Sequence, residues 1–367
     1  CPDCRRQFPS NDFEKFYESG LDEHRNYRYE LALQNGQEYL KNILYPEKGE
    51  GWGVDDGTGF KNGKTFGAGT EQRKTYVAYY NELGLWAAVY GATPMLTTAL
   101  KNLRDAYVYT GDERYGRTGA ILLDRIADVY PDFDLAPYPE YWNTHGSSFR
   151  GKITGRISEY NLSYDMVLAY DAFFPMMDDP QVISFLSKKA EQYQFKNPKT
   201  SAQLIRINSE NGIIREVNRA IRDAKIIGNF GMHQQCLVTA AIVLDTLPET
   251  KEWIDFVLQS GDLVNGSTQL TGGNIYSTLI NDVDRDGHGN ESSPQYNRGW
   301  ISNISNVLKV LDGYDKYDLA PYDHPKLQKM ITAFIELTCC SRYTPAIGDS
   351  GQMGKAGLVD MMWYLME

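Results

Sequence analysis

A mainly α-helical chain is what this sequence predicts: a toroid of helical hairpins followed by the start of a C-terminal β-rich domain. Apolar residues recur at helical spacing in about ten separate segments, with few convincing strands between them. The segments are punctuated by Pro and Gly at places where helices begin and end. No strict sequence period runs through them, which argues against the named solenoid repeats. Helix pairs joined by loops of unequal length fit a ring of hairpins better than a simple bundle.

The 367 residues are enough for one large domain or two ordinary ones, and 42% hydrophobic against 23% charged residues is a globular composition. A first helical piece is expected around Tyr27 to Ile43. Gly51 to Gln72 is rich in Gly, Asp and Asn and too irregular for a helix; long ordered loops of this kind are often functional, and Trp52 in it is a candidate stacking surface for a sugar ring. Helices are then expected over Tyr79 to Tyr90, Met95 to Tyr109 (closed by Thr110-Gly111-Asp112) and Tyr115 to Tyr130, which Pro131 stops. A loop with Trp142, His145 and Arg150 follows, and with Arg156, Glu159 and Asn161 it forms a polar cluster. Further helices are expected at Ile157 to Phe174, Pro180 to Tyr193 (Pro at its first position), Ser209 to Ile227, Asn229 to Leu247, Thr250 to Leu263, Pro294 to Leu311 and Pro325 to Thr338. Gly272 to Leu279 reads as a poor helix. After Cys340 turn residues dominate, and the boundary is set there: helical domain 1–341, and at 342–367 the beginning of a β domain that is expected to continue beyond this chain.

The net charge is −11, which argues against general nucleic-acid binding but leaves room for a locally basic cleft and an acidic polymer. No apolar run is long enough to span a membrane. The chain opens on Cys1 with no charged-then-apolar leader, as a mature or trimmed chain would. Cys1 and Cys4 form half of a zinc-ribbon pattern, with a disulfide or free thiols as the alternatives. Cys236 reads as core, and Cys339 and Cys340 as packed rather than bonded to each other. The 26 tyrosines suit either helix packing or a sugar-binding cleft, since each ring carries a polar edge.

Two stretches carry the chemistry. In Asn281 to Trp300, Asp282, Asp284 and Asp286 alternate ahead of Gly287, like the first half of a calcium loop, but Ser293 stands where the closing acid belongs. A solvated acidic loop is the alternative reading. Ser292 or Ser293 is placed to cap a helix starting at Pro294, which puts Tyr296 in the first turn, where the helix dipole favours negative charge and a phenolate. Such a tyrosine can serve as base and then acid. Arg298 is a candidate anion partner, and His288 and Glu291 lie in the same stretch. In Gly228 to Asp245, Asn229 and His233 are four apart and are expected to share a helix face with Gln234 beside them, able to bind a carboxylate together; a capping Asn beside a packed His is the alternative.

The order of these pieces, with Asp286-Gly287, Glu291-Ser292-Ser293-Pro294-Gln295-Tyr296 and Ile347-Gly348-Asp349-Ser350-Gly351, resembles the heparinase II/III-like polysaccharide lyases, which include several alginate lyases. The resemblance covers roughly Gly51 to Gly351. It implies an incomplete (α/α) toroid followed by an antiparallel β-sandwich, in a secreted or periplasmic enzyme. It also implies β-elimination on a uronic-acid polysaccharide of alginate or glycosaminoglycan type, leaving a 4,5-unsaturated uronate end, with no cofactor required. By the same resemblance Tyr296 is the catalytic tyrosine and Asn229 neutralises the substrate carboxylate. Phe230 stands where many members carry a histidine, and His233 is the candidate for that role. Gln234, Arg298, Glu291, His288, Arg150, Trp52, Trp142 and Glu159 are the expected substrate contacts. Two alternatives come from other classes: a glycoside hydrolase pairing Asp286 with Glu159 or Glu291, and a non-catalytic glycan-binding module using Tyr and Trp surfaces.

Overall fold

The computed structural model describes residues 6–22, 28–56, 95–134, 151–153, 159–262, 269–291, 293–318, 325–340 and 342–348. The chain divides into two compact units, Cys1–Ile213 and Ile214–Glu367. Both are helical, and among the described residues β pairing is limited to two isolated bridges, Val283 with Gly289 and Cys339 with Tyr343. The expected mainly α architecture is therefore present. The expected helix over Tyr79 to Tyr90, the zinc candidates Cys1 and Cys4, and most of the expected β domain lie outside the described residues.

In the first unit, α1 (Phe13–Ser19) and α2 (Tyr29–Asn35) close a small aromatic cluster around Phe13, Phe16 and Ala32. The helix expected over Tyr27 to Ile43 is shorter than its pattern, because Gly36 ends it and a 3-10 turn, Gln37–Tyr39, follows. α3 (Met95–Thr110) and α4 (Glu113–Val129) form a tight hairpin. Gly111 takes φ +67° in the connection, and the Asp112 carboxylate caps α4 by accepting from Arg114 N–H. α4 is the centre of this unit, packed by α3, α5 (Glu159–Phe173), α6 (Pro180–Gln192) and α7 (Ala202–Ser209). Its face of Gly116, Gly119, Ala120, Leu123 and Ala127 is small enough to admit the neighbours: a Cβ on Gly119 would lie 2.1 Å from the Phe173 ring.

α7 was not expected; its Ser201 cap and apolar face are interrupted at Glu210–Ile214, where the backbone widens into a π-turn before α8 (Arg215–Arg222).

The second unit is organised around α9 (Met232–Leu244), which α8, α10 (Glu249–Leu258) and α12 (Pro294–Asp312) all touch. Nine of its residues are buried, from His233 to Leu244, which is why its sequence is apolar all round rather than striped. α11 (Ile275–Asn281) is a real, short helix, although Gly272 to Leu279 reads poorly: its buried Ile275, Thr278 and Leu279 supply in packing what propensity lacks. α13 (Pro325–Glu336) packs on α12. No helix among the described residues is long and apolar enough to cross a membrane.

Candidate functional site

α9 starts three residues later than its periodicity implies. Gly231 occupies the N-cap in the left-handed region, φ +86°, and a Cβ there would meet Asn303 Cβ at 2.4 Å. Asn229 therefore sits in a turn ahead of the helix, its carbonyl accepting from Met232 N–H at 3.0 Å. The expectation that Asn229 and His233 share one helix face is corrected by this: the left-handed glycine between them breaks the 3.6-residue repeat.

The turn is pinned to α12. Phe230 packs on Trp300 with ring centroids 5.1 Å apart, and Asn303 Nδ2 donates to the Phe230 carbonyl at 2.9 Å. Tyr296, Trp300 and Asn303 are spaced i, i+4 and i+7, so they line one face of α12. The turn carrying Asn229 thus abuts the face that carries Tyr296, about one helical turn, ~6 Å, along the axis. Tyr296 is 37% exposed and Asn229 is half-buried, and neither side chain has a hydrogen-bond partner among the described residues. Trp300 and Asn303 did not stand out in the sequence, and Phe230 did so only as a departure from the histidine that the resemblance places there; the i, i+4 spacing of Tyr296 and Trp300 was the signal available.

Tyr296 lies in the first turn of α12, as expected, behind Pro294. Neither serine is seen capping it: Ser293 holds the N-cap position but its side chain makes no capping bond to the helix, and Ser292 lies outside the described residues. The entering chain is held instead by Asn297, whose Nδ2 donates to the carbonyls of Glu291 at 2.7 Å and Ser293 at 3.2 Å. A Cβ on Gly289 would sit 2.4 Å from Asn297 Oδ1, so the loop closes tightly over that amide. Arg298 is half-buried and, two residues from Tyr296, points to a different side of α12.

His233 is 8% exposed, and neither ring nitrogen has a hydrogen-bond partner among the described residues. Burial alone lowers its pKa from 6.5 to about 4, so the imidazole is neutral at physiological pH. An unsatisfied buried polar group costs on the order of 1–3 kcal/mol and is a recurrent mark of functional sites. Gln234 beside it is structural on one side, Nε2 donating to the Gly273 carbonyl at 2.6 Å, while its Oε1 is buried without a partner.

Within the acidic loop between α11 and α12, Asp284 forms an Asx-type turn. Asp284 Oδ1 accepts from the N–H groups of Asp286 at 2.8 Å and His288 at 3.0 Å. These backbone bonds, against burial, lower the Asp284 pKa overall. Asp282 Oδ1 accepts from Asn290 at 2.9 Å. From α13, Lys329 Nζ donates to the Arg285 carbonyl at 2.8 Å and Lys326 Nζ to the Val283 carbonyl at 2.5 Å. The His288 ring meets Phe334 edge-on at 6.4 Å. Asp282, Asp284 and Asp286 do not converge, and no three His, Cys, Asp or Glu among the described residues could hold a metal ion.

The remaining candidates belong to the first unit or lie outside the described residues. Glu159 is buried, its Oε1 accepting from the N–H groups of Lys152 at 3.2 Å and Ile153 at 2.8 Å, which anchors that loop. Trp52 is enclosed by Phe8 at 5.2 Å and Tyr45 at 5.4 Å, with the Arg6 guanidinium 5.6 Å from its ring, so in this conformation it is part of a cluster rather than an open platform. Arg150 and Trp142 lie outside the described residues. Cys236 is buried, as expected, and burial pushes its thiol pKa up; Cys339 and Cys340 are free and exposed, not packed, because α13 ends before them.

Protein-family models, curated proteins and solved structures were all compared with this chain, and none matches it.

Proposed function

We propose that this chain is a polysaccharide lyase that cleaves a uronic-acid polysaccharide of alginate or glycosaminoglycan type by β-elimination, on an incomplete (α/α) toroid followed by a β domain. One observation carries the reading. The amide of Asn229 and the phenol of Tyr296, neither with a hydrogen-bond partner among the described residues, sit on segments held together through Phe230, Trp300 and Asn303.

The chemistry follows from these two groups. The C5 proton of a uronate is a poor acid while C6 is an anionic carboxylate. A hydrogen bond from Asn229 withdraws that charge and is typically worth about 3 kcal/mol in the transition state. Tyr296, as the base, removes the C5 proton; the electron pair forms the C4–C5 double bond as the C4–O4 bond breaks, and O4 takes the proton back from Tyr296. His233, buried and neutral, carries no imidazolium proton to give O4 near pH 7. The role this reading gives it is a hydrogen bond to the sugar carboxylate.

Absorbance of the enone-acid product, followed across a panel of uronate polymers, tests the reading. Wild-type protein is expected to produce it, and Tyr296→Phe, which deletes one exposed oxygen, to abolish it with the fold intact. Reducing ends without absorbance would mean hydrolysis, and binding without products a glycan-binding module.

A further inference from the structure

On the outer surface of the first unit, aromatic rings and cations alternate along one line. Phe185 and Lys189 lie four residues apart on α6, and Tyr193 caps the same face. The Lys189 ammonium stands 5.8 Å from the centre of the Phe185 ring and 5.6 Å from that of Tyr193. Tyr193 in turn stacks on Phe195, centroids 5.9 Å apart at 25°, and the Arg125 guanidinium of α4 lies 5.7 Å from the Phe195 ring. Phe185 is 43% exposed, Tyr193 58% and the Arg125 side chain 60%. The local charge runs against that of the molecule: within 181–200 the exposed or half-exposed charges are Lys188, Lys189 and Lys196 against Glu191 alone, in a chain of net charge −11.

Packing does not explain this line. Rings held half in water give up part of the burial that normally stabilises them, and the cations are fixed beside the rings rather than against carboxylates, apart from the Arg125–Asp128 pair at 3.5 Å. From Phe185 to Tyr193 the helix rises about 12 Å, room for more than one sugar ring. The exposed Phe185 and Tyr193 rings offer apolar faces to the C–H faces of pyranoses, and the cations beside them match carboxylates repeated along a polymer.

We propose that Phe185, Lys189, Tyr193, Phe195 and Arg125 form a non-catalytic binding surface for an acidic polysaccharide, which holds the polymer while cleavage occurs elsewhere. The choice of uronate polymer as ligand rests on the lyase reading; the residues involved are all in the first unit, whereas Asn229 and Tyr296 belong to the second.

The test is retardation of the full chain in native gels containing alginate, heparin, a neutral glucan or single-stranded DNA, with Tyr296→Phe as the background so that the polymer survives. Retardation by a uronate polymer is expected, and Phe185→Ala with Tyr193→Ala, or separately Lys189→Glu, should weaken it by about tenfold, with melting temperatures unchanged. In the catalytically intact background the same variants should raise KM on polymer but leave short oligosaccharides unaffected. Retardation equal to wild type in both variants, no retardation by any uronate polymer, or equal retardation by neutral glucan would overturn the proposal. Stronger retardation by DNA would reassign the surface to nucleic acid. If the variants lose retardation while no polymer yields enone absorbance, the binding surface stands and the lyase reading falls.

Discussion

Asn229 and Tyr296 are set apart from the polar residues around them by having nothing to do in the fold. Gln234 ties α9 to Gly273, and Asn297 holds the chain entering α12, whereas among the described residues the Asn229 amide and the Tyr296 phenol have no hydrogen-bond partners. Asn229→Ala is therefore expected to leave stability nearly unchanged and to lower kcat by roughly 10²–10³ with little change in KM, since carboxylate neutralisation matters most in the transition state. Steady-state kinetics on the best uronate polymer decide this, and a rise in KM alone would make Asn229 a ground-state contact. His233 behaves oppositely, because it is buried. Its folded pKa of about 4 lies below the ordinary 6.5, so the unfolded chain binds more protons between those values. Its contribution is full above pH 6.5 and is lost as pH falls toward 4, amounting to about 3 kcal/mol. Urea unfolding followed over that window should show the slope for wild type, and His233→Gln should flatten it.

At the scale of elements, Gly231 sets where the turn of Asn229 sits on α12. Both φ +86° and the 2.4 Å approach to Asn303 Cβ exclude a side chain there. Gly231→Ala is expected to cost about 1–3 kcal/mol and to push the turn off Trp300. Activity should fall more than Asn303→Ala lowers it, since the latter removes one hydrogen bond and leaves the packing. Wild-type kcat in a folded Gly231→Ala protein would show that turn position is irrelevant to chemistry. The loop before α12 has the same character: Gly287 sits at φ +96°, and a Cβ there would meet the Lys329 carbonyl oxygen at 2.3 Å, so the bare glycine lets the loop lie close on α13.

Over the whole molecule, the two units respond differently to acid. In the first, Lys199 is buried and donates to Asp124 and, at 2.6 and 2.7 Å, to Asp128, while Asn208 bonds both carboxylates at 3.0 Å. Burial above all, opposed by Lys199, raises the Asp124 pKa from 3.8 to about 6. The folded state binds the extra proton, so this group's contribution to stability falls as pH rises from 3.8 through 6, opposite in sign to that of His233. Lys199→Met removes the buried cation that the two carboxylates share, leaving Asp128 only its exposed partner Arg125, and is expected to cost about 3–5 kcal/mol. Hydrogen exchange should report the loss of protection within Cys1–Ile213; protection unchanged there would make the cluster dispensable.

The sequence by itself determined the elements that periodicity and punctuation specify. Pro180 and Pro294 begin helices, Gly111 ends one, and the unbroken apolar run of α9 marks a helix buried on all sides. Tyr296 in a first helical turn was legible for the same reason: Pro fixes φ and dispenses with an N–H that has no partner there. Local rules failed where packing overrides propensity. α11 forms from a weak pattern because its apolar residues are buried, α7 runs into a π-turn, and α9 begins late because Gly231 must adopt a left-handed φ to clear Asn303. Only the tertiary structure decided which candidate polar groups are left free. Hydrogen-bond satisfaction depends on neighbours distant in the chain, such as Gly273 for Gln234 and Asn303 for the Phe230 turn, and no spacing within a single segment encodes them.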